Sequence, residues 1–345
     1  MATRGYFKWR LSSYGEGLTR RVLLASAFAR VLPARKAEVS AFDLSLLDDA
    51  AVPNELFFVR EHFPQPADLS SAAWKLSVAG KQLSFDEVVA RPKRNILFTL
   101  ECAENPVGGG LVSHAEWTGV PLASLLPSNL PATPEARFVT LSAADGFSRT
   151  IPIEKALHPD TLIVYAMNGE KLPLSHGFPL RAIVPGWYGM DSVKWLRGID
   201  AVSGAAPADG YIRKVKSLLS GVRDAGRVTG IQVKSVFTRP QDGAILSSRR
   251  FVARGVAWAG ENLVSKVEMS LDGGKSWMPA KIDDSPLPYS WARWSFDWKI
   301  PRSGEYTLTV RATDVKGRVQ PGEREPDRAD GYESNSWQTI KVMAA

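Results

Sequence analysis

The chain has 345 residues, 44% of them hydrophobic, and 43 Lys and Arg against 36 Asp and Glu give it a net charge of +7 and a pI near 9.4. That length exceeds the roughly 100–200 residues of a typical domain, which makes two domains the default, and no apolar run approaches the ~18 residues needed to cross a bilayer. The basic residues are scattered among acids, which argues against nucleic acid and for small anions or an acidic partner protein; one cysteine, Cys102, excludes intrachain disulfides, zinc ribbons, cysteine-ligated iron–sulfur clusters and a CxxCH haem site, so no haem is expected in this chain.

Residues 1–40 differ from the rest and read as an N-terminal extension. Leu18-Thr19-Arg20-Arg21-Val22-Leu23-Leu24, followed by Ala25-Ser26-Ala27-Phe28-Ala29 and soon by Pro33-Ala34, resembles a twin-arginine export signal and predicts a periplasmic protein. A basic amphipathic helix is the other reading of the same residues, and would leave the protein in the cytoplasm.

Residues 41–207 alternate short β-rich runs with helical patches and many Pro and Gly turns, which predicts a mixed α and β domain and an α+β fold. Strands are expected at 74–78, 137–141 and 161–166, and short helices at 85–90, with Ser84 as N-cap, and at 122–126. Residues 208–228 read as a linker. Beyond it, over 229–345, strands recur at short spacing (231–237, 250–259, 266–270, 291–299 and 306–312), with turns at Asp272-Gly273-Gly274 and 314–317. That pattern predicts an all-β sandwich.

One stretch stands apart: Leu97-Phe98-Thr99-Leu100-Glu101-Cys102-Ala103-Glu104-Asn105-Pro106-Val107-Gly108-Gly109-Gly110. An apolar strand here delivers the only thiol into a glycine-rich loop. Taken alone, a lone Cys is most often a small buried hydrophobe. Glycines, however, let backbone amides close on a ligand, and a thiolate is the softest protein ligand for a thiophilic metal. Three further phrases lie around it in the chain: Asn54-Glu55-Leu56-Phe57-Phe58-Val59-Arg60-Glu61-His62; His176-Gly177-Phe178-Pro179-Leu180-Arg181; and Val184-Pro185-Gly186-Trp187-Tyr188-Gly189, which continues to Ser192-Val193-Lys194-Trp195.

In order and spacing these phrases resemble the sulfite oxidase family of molybdenum enzymes, and the resemblance runs from about Pro53 to the C-terminus. It implies a sulfite-oxidase-like molybdopterin-binding domain followed by an immunoglobulin-like β-sandwich. The phrase Val267-Glu268-Met269-Ser270-Leu271-Asp272-Gly273-Gly274-Lys275-Ser276-Trp277 resembles the family's dimerisation domain, which implies a homodimer. It also implies that Cys102 is the metal ligand and that a Mo-molybdopterin cofactor lies against Phe58, Val59, Arg60, Glu61, His62, Asp145, His176, Arg181, Ser192, Val193 and Lys194. Arg181 offers a fork suited to phosphate and Lys194 a point charge. Arg60 matches the substrate-side arginine, and Trp117 reads either as a wall of the pocket or as a plain core tryptophan.

The activity implied is oxidation of sulfite, or a related sulfur species, to sulfate by oxygen-atom transfer, with two electrons passed to an external acceptor, a cytochrome c. Two alternatives stand beside it: a molybdopterin reductase of sulfoxides such as methionine sulfoxide, and a noncatalytic binding module. The chain also departs from the family pattern. Glu104 stands where a glycine is usual, Pro106-Val107 where basic residues are, and the family's Asp-Tyr phrase is missing. Tyr211 is the nearest tyrosine but fits an earlier family position, so Tyr188 is the expected catalytic tyrosine.

Overall fold

The β-rich runs fold as strands, and turns rather than helices join most of them: 46% of the described residues are strand and 7% helix. The computed structural model describes residues 38–47, 51–67, 69–128, 136–204, 210–217 and 221–345. The export-signal reading falls outside them. The expected α content is overstated, because only α1 (Phe85–Val89) and α2 (Ile153–Ala156) form α-turns among the described residues. Ser84 does cap α1, in a capping box with Glu87, whereas the helix expected at 122–126 is a single 3-10 turn, Leu122–Ser124.

In the N-terminal half, β1 (Val39–Ser40) and β2 (Val59–Arg60) form a short ladder. One five-stranded sheet has β4 (Lys81–Ser84), β3 (Lys75–Val78), β12 (Leu196–Ser203), β7 (Ala136–Ala143) and β8 (Ser148–Pro152) in that order. A second runs β10 (Glu170–Lys171), β9 (Leu162–Met167), β6 (Val112–Pro121) and β5 (Arg94–Glu101), with β11 (Arg181–Ile183) also on β9. Strand β5 starts exposed and ends in four buried residues, so it drives its C-terminal end, and Cys102 after it, inward. β6 is buried almost throughout, as befits a strand covered on both faces.

The stretch read as a linker is instead a hairpin, β13 (Ile212–Ser217) with β14 (Gly221–Arg227). β14 is almost wholly exposed, β13 buries only Val215, and neither carries much apolar alternation, which hid them. The hairpin leans on the C-terminal half: the Lys216 N–H donates to Asp327 O (2.7 Å) and the Ala329 N–H to Lys214 O (2.7 Å).

The C-terminal half is two sheets over one core, as the strand spacing predicted. One has β15 (Lys234–Arg239), β17 (Arg250–Trp258), β21 (Ala292–Lys299) and β20 (Lys281–Ile282). The other has β16 (Ile245–Leu246), β23 (Gln338–Ala344), β22 (Gly304–Asp314), β18 (Val264–Ser270) and β19 (Met278–Pro279). Ala253, Trp294 and Trp298 of the first sheet meet Val267, Leu308, Val310 and Val342 of the second.

The two halves share apolar packing. Val236, Val256, Trp258 and Trp291 belong to the same buried cluster as Phe57, Leu100, Ala103 and Trp117. Within this contact lies a buried ion pair. Lys234 Nζ, on β15, is 2.5 Å from Glu101 Oε1 at the end of β5, with side chains 1% and 0% exposed. The Trp258 indole N–H donates to Glu101 Oε2 (2.8 Å), and Asn105 Nδ2 donates to Oε1 (3.1 Å). Removing one member of such a pair strands the other charge. Lys234→Met should therefore cost about 3–5 kcal/mol in urea unfolding, while Glu101→Gln with Lys234→Met should regain most of it.

Candidate active site

A pocket opens where the end of β5, the 57–62 segment, the β7–β8 turn and residues 175–195 come together. The loop that carries the thiol is held from within. The Cys102 N–H donates to Leu111 O and the Asn105 N–H to Cys102 O, both at 2.9 Å, while Asn105 Oδ1 accepts from the Leu111 N–H at 3.0 Å. Its glycines serve the chain itself rather than a ligand: a Cβ on Gly110 would lie 1.9 Å from Phe42 O, and the Phe42 N–H donates to Gly110 O at 2.8 Å. Burial pushes the half-buried Cys102 thiol above its ordinary pKa, opposed by a hydrogen bond from the Glu104 backbone.

Twelve of the thirteen residues expected to bind the cofactor or act in catalysis line this pocket. Phe58 and Val59 are fixed by their amides, which donate to Ser113 Oγ (3.2 Å) and Ser40 Oγ (3.3 Å). Arg60 follows on β2, its Nη1 donating to Glu61 O (3.1 Å) and its Nη2 2.9 Å from Glu104 Oε2. Glu61 is buried, accepting from the Glu38 N–H (3.1 Å) and pairing with Lys194 Nζ (3.3 Å). His62 stacks on Phe147 with ring centroids 4.6 Å apart and touches the Tyr211 hydroxyl; burial, then the Arg60 charge, lower its pKa. Asp145 sits in the β7–β8 turn, where it accepts from the Phe147 N–H (3.0 Å), and burial raises its pKa.

His176, Arg181, Ser192, Val193 and Lys194 form the deep wall. Gly177 makes that wall possible: it has φ +108°, and a Cβ there would press within 2.9 Å of Arg181 Cβ and 3.1 Å of Lys194 Cα. His176 Nε2 lies 3.0 Å from Asn54 O, and burial lowers its pKa to about 3, so it is neutral. Arg181 donates through Nη1 to His176 O (3.0 Å) and through Nη2 to Ser192 O (2.8 Å); Ser192 Oγ accepts from the Val184 N–H (3.1 Å), and Val193 O from the Ala182 N–H (2.8 Å). Among the described residues nothing accepts from the buried Arg181 Nε. Burial lowers Arg181 to about 9 and Lys194 to about 8, Glu61 opposing the second shift.

Tyr188 is the exception. It is buried in the core, and its hydroxyl accepts from the Gln232 N–H at 3.4 Å. Tyr211 lines the pocket in its stead, set at the foot of β13. Tyr188 turns into the apolar cluster shared with the other half, which the phrase alone could not report. Trp117 is likewise a core residue, fully buried, with the Arg181 guanidinium 5.0 Å from its ring centre. Sequence reasoning missed Arg149 as well, a buried residue whose guanidinium pairs with Asp191 (2.9 Å) and lies 4.9 Å from the centre of the Tyr211 ring.

The arrangement is a thiol, a rim arginine and two buried cations around one cleft, suited to an anionic ligand with a soft metal. Among the described residues no three His, Cys, Asp or Glu side chains group as a metal cage, and no helix is long and apolar enough to cross a membrane. Lys194 is charged below about pH 8 and neutral above it. Sulfate, whose own charge is constant in that range, should thus bind the cofactor-free protein more weakly as pH rises through about 8, and calorimetry on Lys194→Met should show weak binding without that step at about pH 8, leaving only the loss near about pH 9 that Arg181 brings.

Residues 62–210 match the oxidoreductase molybdopterin binding domain model, and residues 227–345 the Mo-co oxidoreductase dimerisation domain model. The chain is 33% identical to the sulfite oxidase of Gallus gallus over 78% of this chain and 68% of that one. It is 30% identical to the mitochondrial sulfite oxidase of Mus musculus, over 86% of this chain and 62% of that one, and so spans less than two thirds of the mouse protein. The sulfane dehydrogenase SoxCD from Paracoccus pantotrophus superposes with a TM-score of 0.82 at 26% identity, over 97% of this chain and 92% of that one.

Proposed function

Because the chain belongs to the sulfite oxidase family of molybdopterin oxidoreductases, we propose that it oxidises sulfite, or a related sulfur species, to sulfate. For sulfite, one oxygen is added from water, and two protons and two electrons are released, the electrons to an external acceptor. The observation that carries this reading is the convergence of Cys102, Arg60, Arg181 and Lys194 on one pocket.

The pocket fits the cofactor on its own chemistry. A buried guanidinium with an unmatched Nε and a buried ammonium beside it lack enough negative charge among the described residues, and a phosphate supplies it. Arg181, Lys194 and His176, with the backbone of Ser192 and Val193, would take the phosphate end. Residues 58–62 and Asp145 would meet the pterin ring edges, and Cys102 would hold the metal. When bound, the molybdenum supplies the oxygen-atom transfer and accepts the electron pair.

Around it, Arg60 orients the anionic sulfur species at the pocket mouth. Tyr211, its hydroxyl set by His62 and its ring by Arg149, offers a hydrogen bond at the same wall. Phe57, Leu100 and Met190 keep the remainder of the pocket apolar and limit water.

The same reading extends to the rest of the molecule. Residues 41–207 form the cofactor domain, and the two-sheet domain over 229–345 is immunoglobulin-like and joins two copies in a homodimer. Residues 18–29 direct export to the periplasm, where a cytochrome c takes the electrons. The presence of the second domain supports this reading over a sulfoxide reductase.

Sulfite-dependent ferricyanide reduction by the molybdenum-loaded protein tests the proposal. Cys102→Ser should keep its fold and its dimeric mass in sedimentation yet lose turnover by roughly a thousandfold or more. Undiminished turnover in that variant, or a loaded wild type inert to sulfite, would rule the reading out.

A further inference from the structure

We propose that Glu104 is a specificity-determining residue, whose carboxylate offsets the Arg60 charge so that the pocket favours sulfur substrates bearing at most one negative charge over doubly charged oxyanions. This rests on the molybdopterin reading above and names the substrate class of that same site.

Glu104 is placed by the thiol loop itself. The turn from Cys102 to Asn105 is closed by the Asn105 N–H on Cys102 O at 2.9 Å, which puts Glu104 two residues from the sulfur. Its backbone hydrogen-bonds the thiol, and its Oε2 lies 2.9 Å from Arg60 Nη2. One guanidinium nitrogen of Arg60 is tied to the Glu61 carbonyl (3.1 Å) and the other to this carboxylate. Of the other charges at the pocket, Lys194 is matched by Glu61 at 3.3 Å, Arg181 lies in the deep wall that would take the phosphate, and Asp145 adds negative charge. His62 is pushed toward neutrality by burial and Arg60.

An incoming anion at the rim thus meets close to no net charge. The Arg60 and Glu104 side chains are 28% and 41% exposed, so the pair is weak enough to open to a ligand. The carboxylate, however, stays beside whatever displaces it. Coulomb repulsion is proportional to the ligand's charge, so a fixed carboxylate penalises a dianion about twice as much, in free energy, as a monoanion.

Glu104→Gln removes the charge and keeps an oxygen to accept from Arg60. In calorimetry on the molybdenum-loaded enzyme, methanesulfonate should bind about threefold tighter to E104Q than to wild type and sulfate about tenfold tighter. The KM for sulfite should fall, with a smaller change in kcat. Equal gains for the two anions, no gain, or a loss in E104Q would overturn the proposal. So would a Glu104→Ala protein in which both anions bind more weakly than to wild type, since the carboxylate would then act only by holding Arg60 in place. Should the wild type fail to oxidise sulfite, the reaction assigned above falls, while the ratio of the two anion affinities still decides the role of Glu104.

Discussion

Glu101 stands one residue before the thiol and takes its counter-ion from the other half of the molecule. Its carboxylate is satisfied by Lys234, Trp258 and Asn105 in a place sealed from water. A charge so deeply buried is tolerable only while every partner stays in position. The loop from Cys102 to Gly110 therefore cannot drift without breaking that set. The sheet-over-sheet half is for this reason part of the active centre, and the shared apolar cluster around Trp258 and Trp291 extends the same dependence over a wider area.

The deep wall follows a different logic, in which the protein carries an electrostatic deficit. Arg181 and Lys194 are held by carbonyls and a single carboxylate, and burial lowers the pKa of both. Such a cluster weakens the bare fold and strengthens attachment of an anion. The backbone accepts strain to build it: Trp195, beside Lys194, has φ +49° and is tied by its indole N–H to Leu174 O (2.9 Å) and by its carbonyl to the Ala144 N–H (2.9 Å).

What could be read beforehand was what depends on short phrases. That residues 58–62, Cys102 and the wall from His176 to Lys194 belong together was legible through the resemblance of their short phrases to the sulfite oxidase family, and they line one pocket. The two-sheet core was legible through strand spacing, although β23 escaped notice despite its alternating Ile340 and Val342. Lys234 was invisible, since its partner is 133 residues away and a lone lysine in a strand reads as solvated. The exchange of Tyr188 for Tyr211 has the same origin: which tyrosine reaches the pocket depends on the 212–227 hairpin, whose polar strands resemble a tether.

That hairpin rests its main chain on residues 327–330, and Arg213 also holds Glu333, whose N–H donates to Ala103 O at 2.8 Å. Segments distant in the chain thereby share one yardstick. Lengthening or shortening the connection before β23 would shift the tyrosine and the residue after the thiol together, so the length of that remote loop is tied to the geometry of the pocket.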